Sequence, residues 1–309
     1  MKKILLTGAG GLLGGRIYSS LKDFYQIYPV SRKESSTCID PNNSYMIDWS
    51  SSTDLYECVK GKDIIIHAAG LNSLDSNADP ELSYEVNTLN TQRLVDACSS
   101  KKSPPVFIYL STAHVYKSSL DSIVTEDSPT INCHPYASSH KAAEDTVLYA
   151  TSLKKIRGVV LRLSNAFGAP LKPDINCWML LVNDLVRQGV SLGHITLSSN
   201  GLQKRNFISI EFLLKFLYRI LEIPYSELRY NLFNVGSESN LSVWDMATIV
   251  QARLQYILKK EIPLERDTTV GVSSDFLYSV DRLKDITTAI DEFQIKEIDD
   301  LITFCIKHF

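Results

Sequence analysis

Short apolar runs alternate with helix-period segments through the first half of the chain. Ile4-Leu5-Leu6-Thr7 is continuously apolar, as a strand buried on both faces must be. A glycine-rich turn follows from Gly8 to Gly15, within which Leu12 and Leu13 begin a helical spacing that continues at Ile17 and Leu21. Gln26 to Val30 and Asp63 to His67 read as further strands. Asp79-Pro80 predicts the start of a long helix, with Asp79 as its cap and Pro80 at its first position. Leu82, Val86, Leu89, Leu94 and Ala97 are its expected buried stripe. Pro104-Pro105 breaks the chain before a strand at Val106 to Leu110. A helix from about Tyr136 to Tyr149 then leads to a strand at Arg157 to Leu163. Apolar strands separated by helices predict the α/β class, with a doubly wound parallel sheet covered on both faces.

Beyond about Asn165 the pattern loosens. Gly168, Pro170, Pro173, Gly189, Gly193 and Gly201 punctuate shorter helical pieces around Trp178 to Arg187, Glu211 to Leu221 and Val243 to Leu258. The expected division is a sheet domain over residues 1–165 and a smaller, irregular lobe over 166–309, some segments of which return to the sheet. Apolar residues are 44% and charged residues 22% of the 309, the balance of a packed chain rather than a disordered one. A formal charge of −3 argues against a nucleic-acid partner. The six cysteines contain no C-x-x-C pair, so reduced thiols are expected rather than a disulfide framework, and no metal site. No apolar run approaches the roughly eighteen residues that span a bilayer. The apolar stretch after Met1-Lys2-Lys3 stops at once in glycines, so a cytoplasmic protein is expected.

Gly8, Gly11 and Gly14 form G-x-x-G-x-x-G between a strand and a helix. Such a turn lets the backbone approach a pyrophosphate without a Cβ in the way, and the helix start offers N–H groups and the positive end of its dipole. Leu12 and Leu13 belong to the same cradle. The second contact of a dinucleotide falls about twenty residues further on, at the end of the second strand. An acid there would hold the ribose 2′-hydroxyl of NAD. The chain instead has Val30-Ser31-Arg32-Lys33, and a hydroxyl beside a guanidinium suits a 2′-phosphate, so NADP(H) is favoured over NAD(H).

Further motifs follow in order: His67-Ala68-Ala69-Gly70, Asn87, Leu110-Ser111-Thr112-Ala113-His114-Val115-Tyr116, Pro135-Tyr136, Arg162-Leu163-Ser164-Asn165, and Gly201 to Phe207 with Arg205 inside it. Together with the glycine turn they resemble the extended short-chain dehydrogenase/reductases, a group of nucleotide-sugar epimerases, dehydratases and reductases. The resemblance implies that Ala68, Ala69 and Gly70 fold over the cofactor and that Asp48, with Trp49 beside it, meets the adenine end. It implies that Asn87 supports the sheet near the active site, and that Thr112 and Tyr136 are catalytic. Asn165 and Arg205 then hold the diphosphate of a nucleotide sugar, with His114 on the substrate side. Trp178 and Asn183 are weaker candidates to face the nucleotide, and core packing is an equal alternative for Trp178. The resemblance also implies a homodimer formed through helices at about Asp79 to Ser99 and Tyr136 to Thr151.

One position departs from the pattern. The family carries Y-x-x-x-K, whose Lys binds the nicotinamide ribose and lowers the Tyr pKa; here the fourth residue after Tyr136 is His140, and Lys141 comes one residue late. On a helix, His140 lies about 40° from Tyr136 and Lys141 about 140° away, so His140 takes the ribose position. Histidine loses its charge near pH 6.5, so a neutral His140 barely activates Tyr136 as a base. The dehydratase branch of the family needs acids after the catalytic Thr, and Ala113-His114 argues against 4,6-dehydration. The expected activity is therefore reduction of a sugar carbonyl or oxidation of its hydroxyl, at C4. The alternatives are an epimerase that retains NAD, and a dinucleotide-binding sensor or scaffold without catalysis.

Overall fold

The structure is a computed structural model that describes residues 1–32, 39–40, 42–116, 122–269, 275–287 and 294–309, with the backbone alone at Ser31 and Arg32. The main sheet has seven strands: β1 (Lys3–Thr7), β2 (Gln26–Arg32), β3 (Tyr45–Ile47), β4 (Ile64–His67), β5 (Val106–Thr112), β6 (Arg157–Leu163) and β7 (Leu232–Val235). Their order is β7-β6-β5-β4-β1-β2-β3, and the pairs β1–β2, β1–β4, β2–β3 and β4–β5 run parallel. This is the doubly wound sheet that the apolar pattern predicts. Every residue of β4 is buried, as is all of β1 after Lys3, because helices cover both faces. The strand order reverses between β1 and β4. In such sheets a ligand crevice opens at the carboxyl ends of the strands flanking the reversal. That reversal puts the glycine turn after β1 next to the Ala68-Ala69-Gly70 loop after β4.

The helices of this unit are α1 (Leu12–Leu21), α2 (Ser52–Val59), α3 (Ser73–Ala78), α4 (Pro80–Ser83), α5 (Asn90–Ser99) and α6 (Pro135–Ser152). Asp79 caps α4 by accepting a bond from the Leu82 N–H at 2.9 Å, and Pro80 occupies its first position. The long helix that the sequence predicts from there is interrupted by a π-helical turn, Tyr84–Leu89, which joins α4 to α5. The wider turn shifts the phase of everything around it. Leu82 and Leu89, expected in the core, are instead 44% and 46% exposed, whereas Ser83, Asn87, Asn90 and Thr91 are buried. Apolar packing resumes only at Leu94, Val95 and Cys98, which meet Leu5, Ile65 and Phe107 of the sheet and Ala143 and Val147 of α6 in one cluster. In α1 the buried face is Gly14, Gly15, Ile17 and Leu21, with Leu12 and Leu13 only half-buried.

The chain divides into two compact units. One comprises Met1–Ser118, Ser128–Arg162 and Tyr218–Phe233; the other comprises Ser119–Asp127, Leu163–Leu217 and Asn234–Phe309. The second has its own core, including Phe167, Val186, Phe207, Val250, Ile298 and Cys305, and a three-stranded sheet built from Asn165–Phe167, Lys204–Ser209 and Asn240–Ser242. Asn183 is fully buried there and spans Gly168, accepting from its N–H at 3.2 Å and donating to its carbonyl at 3.0 Å. Trp178 lies outside the helix Leu181–Ser191, donates to the Pro173 carbonyl at 3.1 Å and packs against Phe304 and Phe309. Asn183 is thus committed to the fold of that unit, a correction to its reading as a nucleotide contact, and the contacts of Trp178 agree with its core-packing alternative. Among the described residues no group of side chains could hold a metal ion, and no helix is long and apolar enough to cross a membrane.

Candidate active site

The glycine turn is shaped by close backbone contacts. Gly8 has φ +70°, and a Cβ there would lie 2.4 Å from the Ala68 carbonyl oxygen. A Cβ on Gly14 would lie 2.1 Å from the Gly8 oxygen, so helix and strand close on each other only because both positions are glycine. Gly11 is the N-cap of α1 and offers no side-chain bond to the helix N–H groups; its own N–H closes the turn onto the Gly8 oxygen at 2.9 Å. By contrast, Ser51, Asn72, Asp79 and His134 cap their helices with side chains. The first turn of α1 also carries no acid. An uncapped ten-residue helix behind a turn without side chains fits the pyrophosphate of a dinucleotide. Asp48 is exposed and accepts from the N–H and hydroxyl of Ser50 at 2.9 and 2.7 Å. The Trp49 ring lies 6.0 Å from that of His67. The side chains of Ser31 and Arg32, on which the choice of NADP(H) over NAD(H) turns, lie outside the described residues.

A line of buried hydrogen bonds starts at the loop after β4. The Ala69 N–H donates to Thr7 Oγ1 at 3.2 Å. Thr7 Oγ1 and His67 Nδ1 are 2.6 Å apart, and His67 Nε2 and Thr91 Oγ1 are 2.9 Å apart. Thr91 spends its proton on the Asn87 carbonyl at 2.6 Å, so it accepts from His67 Nε2–H, and Nδ1 in turn accepts from Thr7. Full burial pushes the His67 pKa down to about 3, so the ring is neutral. Asn87 extends the line: its Oδ1 accepts from the Leu71 N–H at 2.8 Å and its Nδ2 donates to Ser139 Oγ at 3.0 Å. Ser139 Oγ donates to the Tyr136 carbonyl at 3.1 Å. Asn87 thereby ties the loop after β4 to the first turn of α6. The π turn is what brings its side chain inward.

His134 Nδ1 accepts from the Tyr136 N–H at 3.2 Å and starts α6, with Pro135 in the first turn. From this helix Tyr136 projects to the end of β5, where its hydroxyl is hydrogen-bonded to the Thr112 side chain. Thr112 Oγ1 also accepts from the His114 N–H at 3.1 Å. Burial raises the Tyr136 pKa above its ordinary value of 10, the bond to Thr112 only partly opposing it. The His140 ring stands edge-on to Tyr136, centroids 4.7 Å apart, and the exposed His114 ring lies 5.8 Å from Tyr136 on another side. Burial pushes the His140 pKa down to about 3, with smaller effects of His67 and His114 in the same direction. Lys141 points away and pairs with the exposed carboxylate of Asp145. Deeper in α6, Glu144 forms a buried ion pair with Arg162, whose Nη2 lies 2.7 Å from Oε2, and accepts from Ser111 Oγ at 2.6 Å. That pair fixes α6 against β5 and β6 on the residue next to Thr112.

The sequence reading missed Tyr109, Thr7, Thr91, Ser139 and Glu144. Each acts through a partner distant in sequence, which no local pattern marks. The remaining candidates lie in the other unit. Asn165 Nδ2 donates to the Asn206 carbonyl at 2.7 Å and so holds the strand edge. Arg205 sits in the strand Lys204–Ser209 opposite Leu241, with burial lowering its pKa and no ion-pair or hydrogen-bond partner among the described residues. A half-buried guanidinium in that state is suited to an anion.

Residues 4–236 match the NAD dependent epimerase/dehydratase family. The dTDP-D-glucose 4,6-dehydratase of Mus musculus is 27% identical over 300 residues, spanning 89% of this chain and 78% of that protein. The fold is shared with the UDP-glucuronic acid 4-epimerase of Bacillus cereus, solved with UDP-glucuronic acid and NAD (TM-score 0.80, 20% identity, 99% and 100% of the two chains). It is shared equally with the UDP-N-acetylglucosamine 4-epimerase of Methanobrevibacter ruminantium M1, solved with UDP-N-acetylmuramic acid (TM-score 0.80, 21% identity, 100% and 99%).

Proposed function

Because the chain belongs to the NAD dependent epimerase/dehydratase family, we propose that it is an NAD(P)-dependent oxidoreductase of a nucleotide-activated sugar, working as a keto-sugar reductase at C4. The observation that carries the direction is the phenol of Tyr136. It faces Thr112 and a neutral His140, with the His114 ring 5.8 Å away, and the neighbouring lysine, Lys141, is paired with Asp145 instead of holding it as phenolate. A phenol that keeps its proton is a general acid. Gly8, Gly11 and Gly14 with the start of α1 hold the pyrophosphate, Ala68 to Gly70 border the cofactor, and His140 anchors the nicotinamide ribose. When bound, the reduced nicotinamide supplies hydride. Thr112 holds the sugar carbonyl oxygen, and Tyr136 gives that oxygen its proton as it becomes the alcohol. Arg205 and Asn165 bind the substrate diphosphate. Ala113 and His114 follow Thr112 where elimination of water would require acids. We carry NADP(H) ahead of NAD(H) on the Ser31-Arg32 sequence alone. A homodimer is supported by exposed Tyr84 and Leu89 on the π turn and by Tyr149 and Leu153 at the end of α6.

The second reading, a 4-epimerase that retains NAD, is favoured by the structural neighbours. The two separate in one assay. Purified protein is mixed with NADPH or NADH and a panel of 4-keto and ordinary nucleotide sugars. Reductase activity oxidises cofactor stoichiometrically. Interconversion of sugars without net cofactor change makes it an epimerase, and tight dinucleotide binding without turnover makes it a sensor.

A further inference from the structure

Tyr109 lies on β5, 1% exposed, with its hydroxyl 2.7 Å from His140 Nδ1. No other hydrogen-bond partner of that hydroxyl is found among the described residues. If Nδ1 carried the proton, the phenol proton would be left buried without an acceptor, at the cost that attaches to any orphaned donor. The phenol therefore donates, Nδ1 is the acceptor, and the ring proton sits on Nε2. That nitrogen faces Gly70: a Cβ placed there would lie 3.7 Å from Nε2 and 3.1 Å from Asn87 Oδ1. Tyr109 is itself held, its ring stacked 5.7 Å from that of His67, whose two nitrogens are locked by Thr7 and Thr91.

We infer that Tyr109 is a positioning residue that fixes the tautomer and orientation of His140, so that Nε2–H is presented beside the Gly70 loop to the ribose of the dinucleotide. The Tyr109–His140 couple thus does as a neutral donor what a lysine does as a cation, and it supplies orientation without activating Tyr136. Two groups replace one. The couple is built before any cofactor arrives, because each of its bonds is internal to the protein.

The inference rests on the proposed dinucleotide site, yet its first test needs no ligand. In cofactor-free protein labelled with [15N]histidine, two-bond 1H–15N spectra distinguish the two neutral tautomers from imidazolium, and H140Q identifies the signal. The expected result is a neutral Nε2–H ring at pH 7, its Nδ1 shifted as a hydrogen-bonded acceptor, with Y109F returning Nδ1 to a free lone pair or admitting the Nδ1–H form. An Nδ1–H ring or an imidazolium in the wild-type protein overturns the inference, as does an Nδ1 unmoved by Y109F. The second test is NADPH and NADH affinity, read by fluorescence quenching in a double-mutant cycle. Y109F weakens binding about 5- to 10-fold, the scale of one hydrogen bond, and by less than about twofold when His140 is already Ala. Equal losses in both backgrounds make Tyr109 a packing residue only. Absence of any dinucleotide binding defeats the functional reading while leaving the spectroscopic result standing.

Discussion

The turn after β1 and the first turns of α6 do their work in different ways. In the proposed site the recognising groups at Gly8, Gly11 and Gly14 are backbone amides, and the sequence requirement is absence of side chain: a Cβ at Gly14 would sit 2.1 Å from the Gly8 oxygen. On α6 the recognising groups are Tyr136 and His140, and their properties are set by residues reached across the sheet, Thr112 and Tyr109. Backbone recognition is written locally and tolerates little change. Side-chain recognition is spread over contacts, so one member can change when its neighbours change with it. His140, hydrogen-bonded through Nδ1 to Tyr109 on β5, is recognition of this second kind.

The contrast is tested most severely at the turn. Gly14→Ala forces a Cβ onto backbone, so overpacking of about 1–3 kcal/mol is expected, with dinucleotide affinity reduced by more than about 100-fold. Thermal unfolding and fluorescence titration read the two effects, and retained affinity would show that the turn is not the phosphate cradle. Tyr136→Phe is expected to lower kcat/KM by about 10²- to 10⁴-fold while leaving the dinucleotide Kd within about twofold, which separates chemistry from binding.

A smaller effect appears in stability against pH. His67 and His140 are held near pKa 3 in the folded protein, against about 6.5 when unfolded. Both folded values are depressed, so below pH 6.5 the unfolded chain takes up protons that the folded chain refuses, and stability falls with pH. Between about pH 7 and pH 5 the loss is up to about 2 kcal/mol for each histidine. Denaturant titrations at the two pH values measure it, and H140Q should remove about half of the slope. The smallest effect is expected at Lys141. It pairs with Asp145 on an exposed face, so Lys141→Ala should change kcat/KM by less than about twofold. A large loss there would restore Lys141 to the ribose site and reverse the assignment of His140.

These differences explain what the sequence made legible. The alternating apolar runs were enough for the sheet, because strands buried on both faces admit little polarity. Thr112 and Tyr136 stood out through the motifs around them, and the helical angle separated His140 from Lys141. The stripe on the helix after Asp79 was misplaced at Leu82 and Leu89, since a π turn shifts the phase without any residue announcing it. Tyr109 and Thr91 escaped because their partners lie 31 and 24 residues away, with no periodicity linking them. Asn183 looked like a ligand contact, and burial shows it to be a clamp on Gly168.

The central claim is that Tyr136 keeps its proton because a neutral histidine occupies the place of a cation. Ultraviolet difference titration of the wild-type protein against Y136F, with NADP+ or NADPH present at saturation, isolates the ionisation of that one phenol. The account predicts no phenolate from Tyr136 below about pH 10 in either cofactor state, in keeping with a pKa raised by burial. A phenolate that appears in the wild-type protein near neutral pH and is absent from Y136F would contradict it.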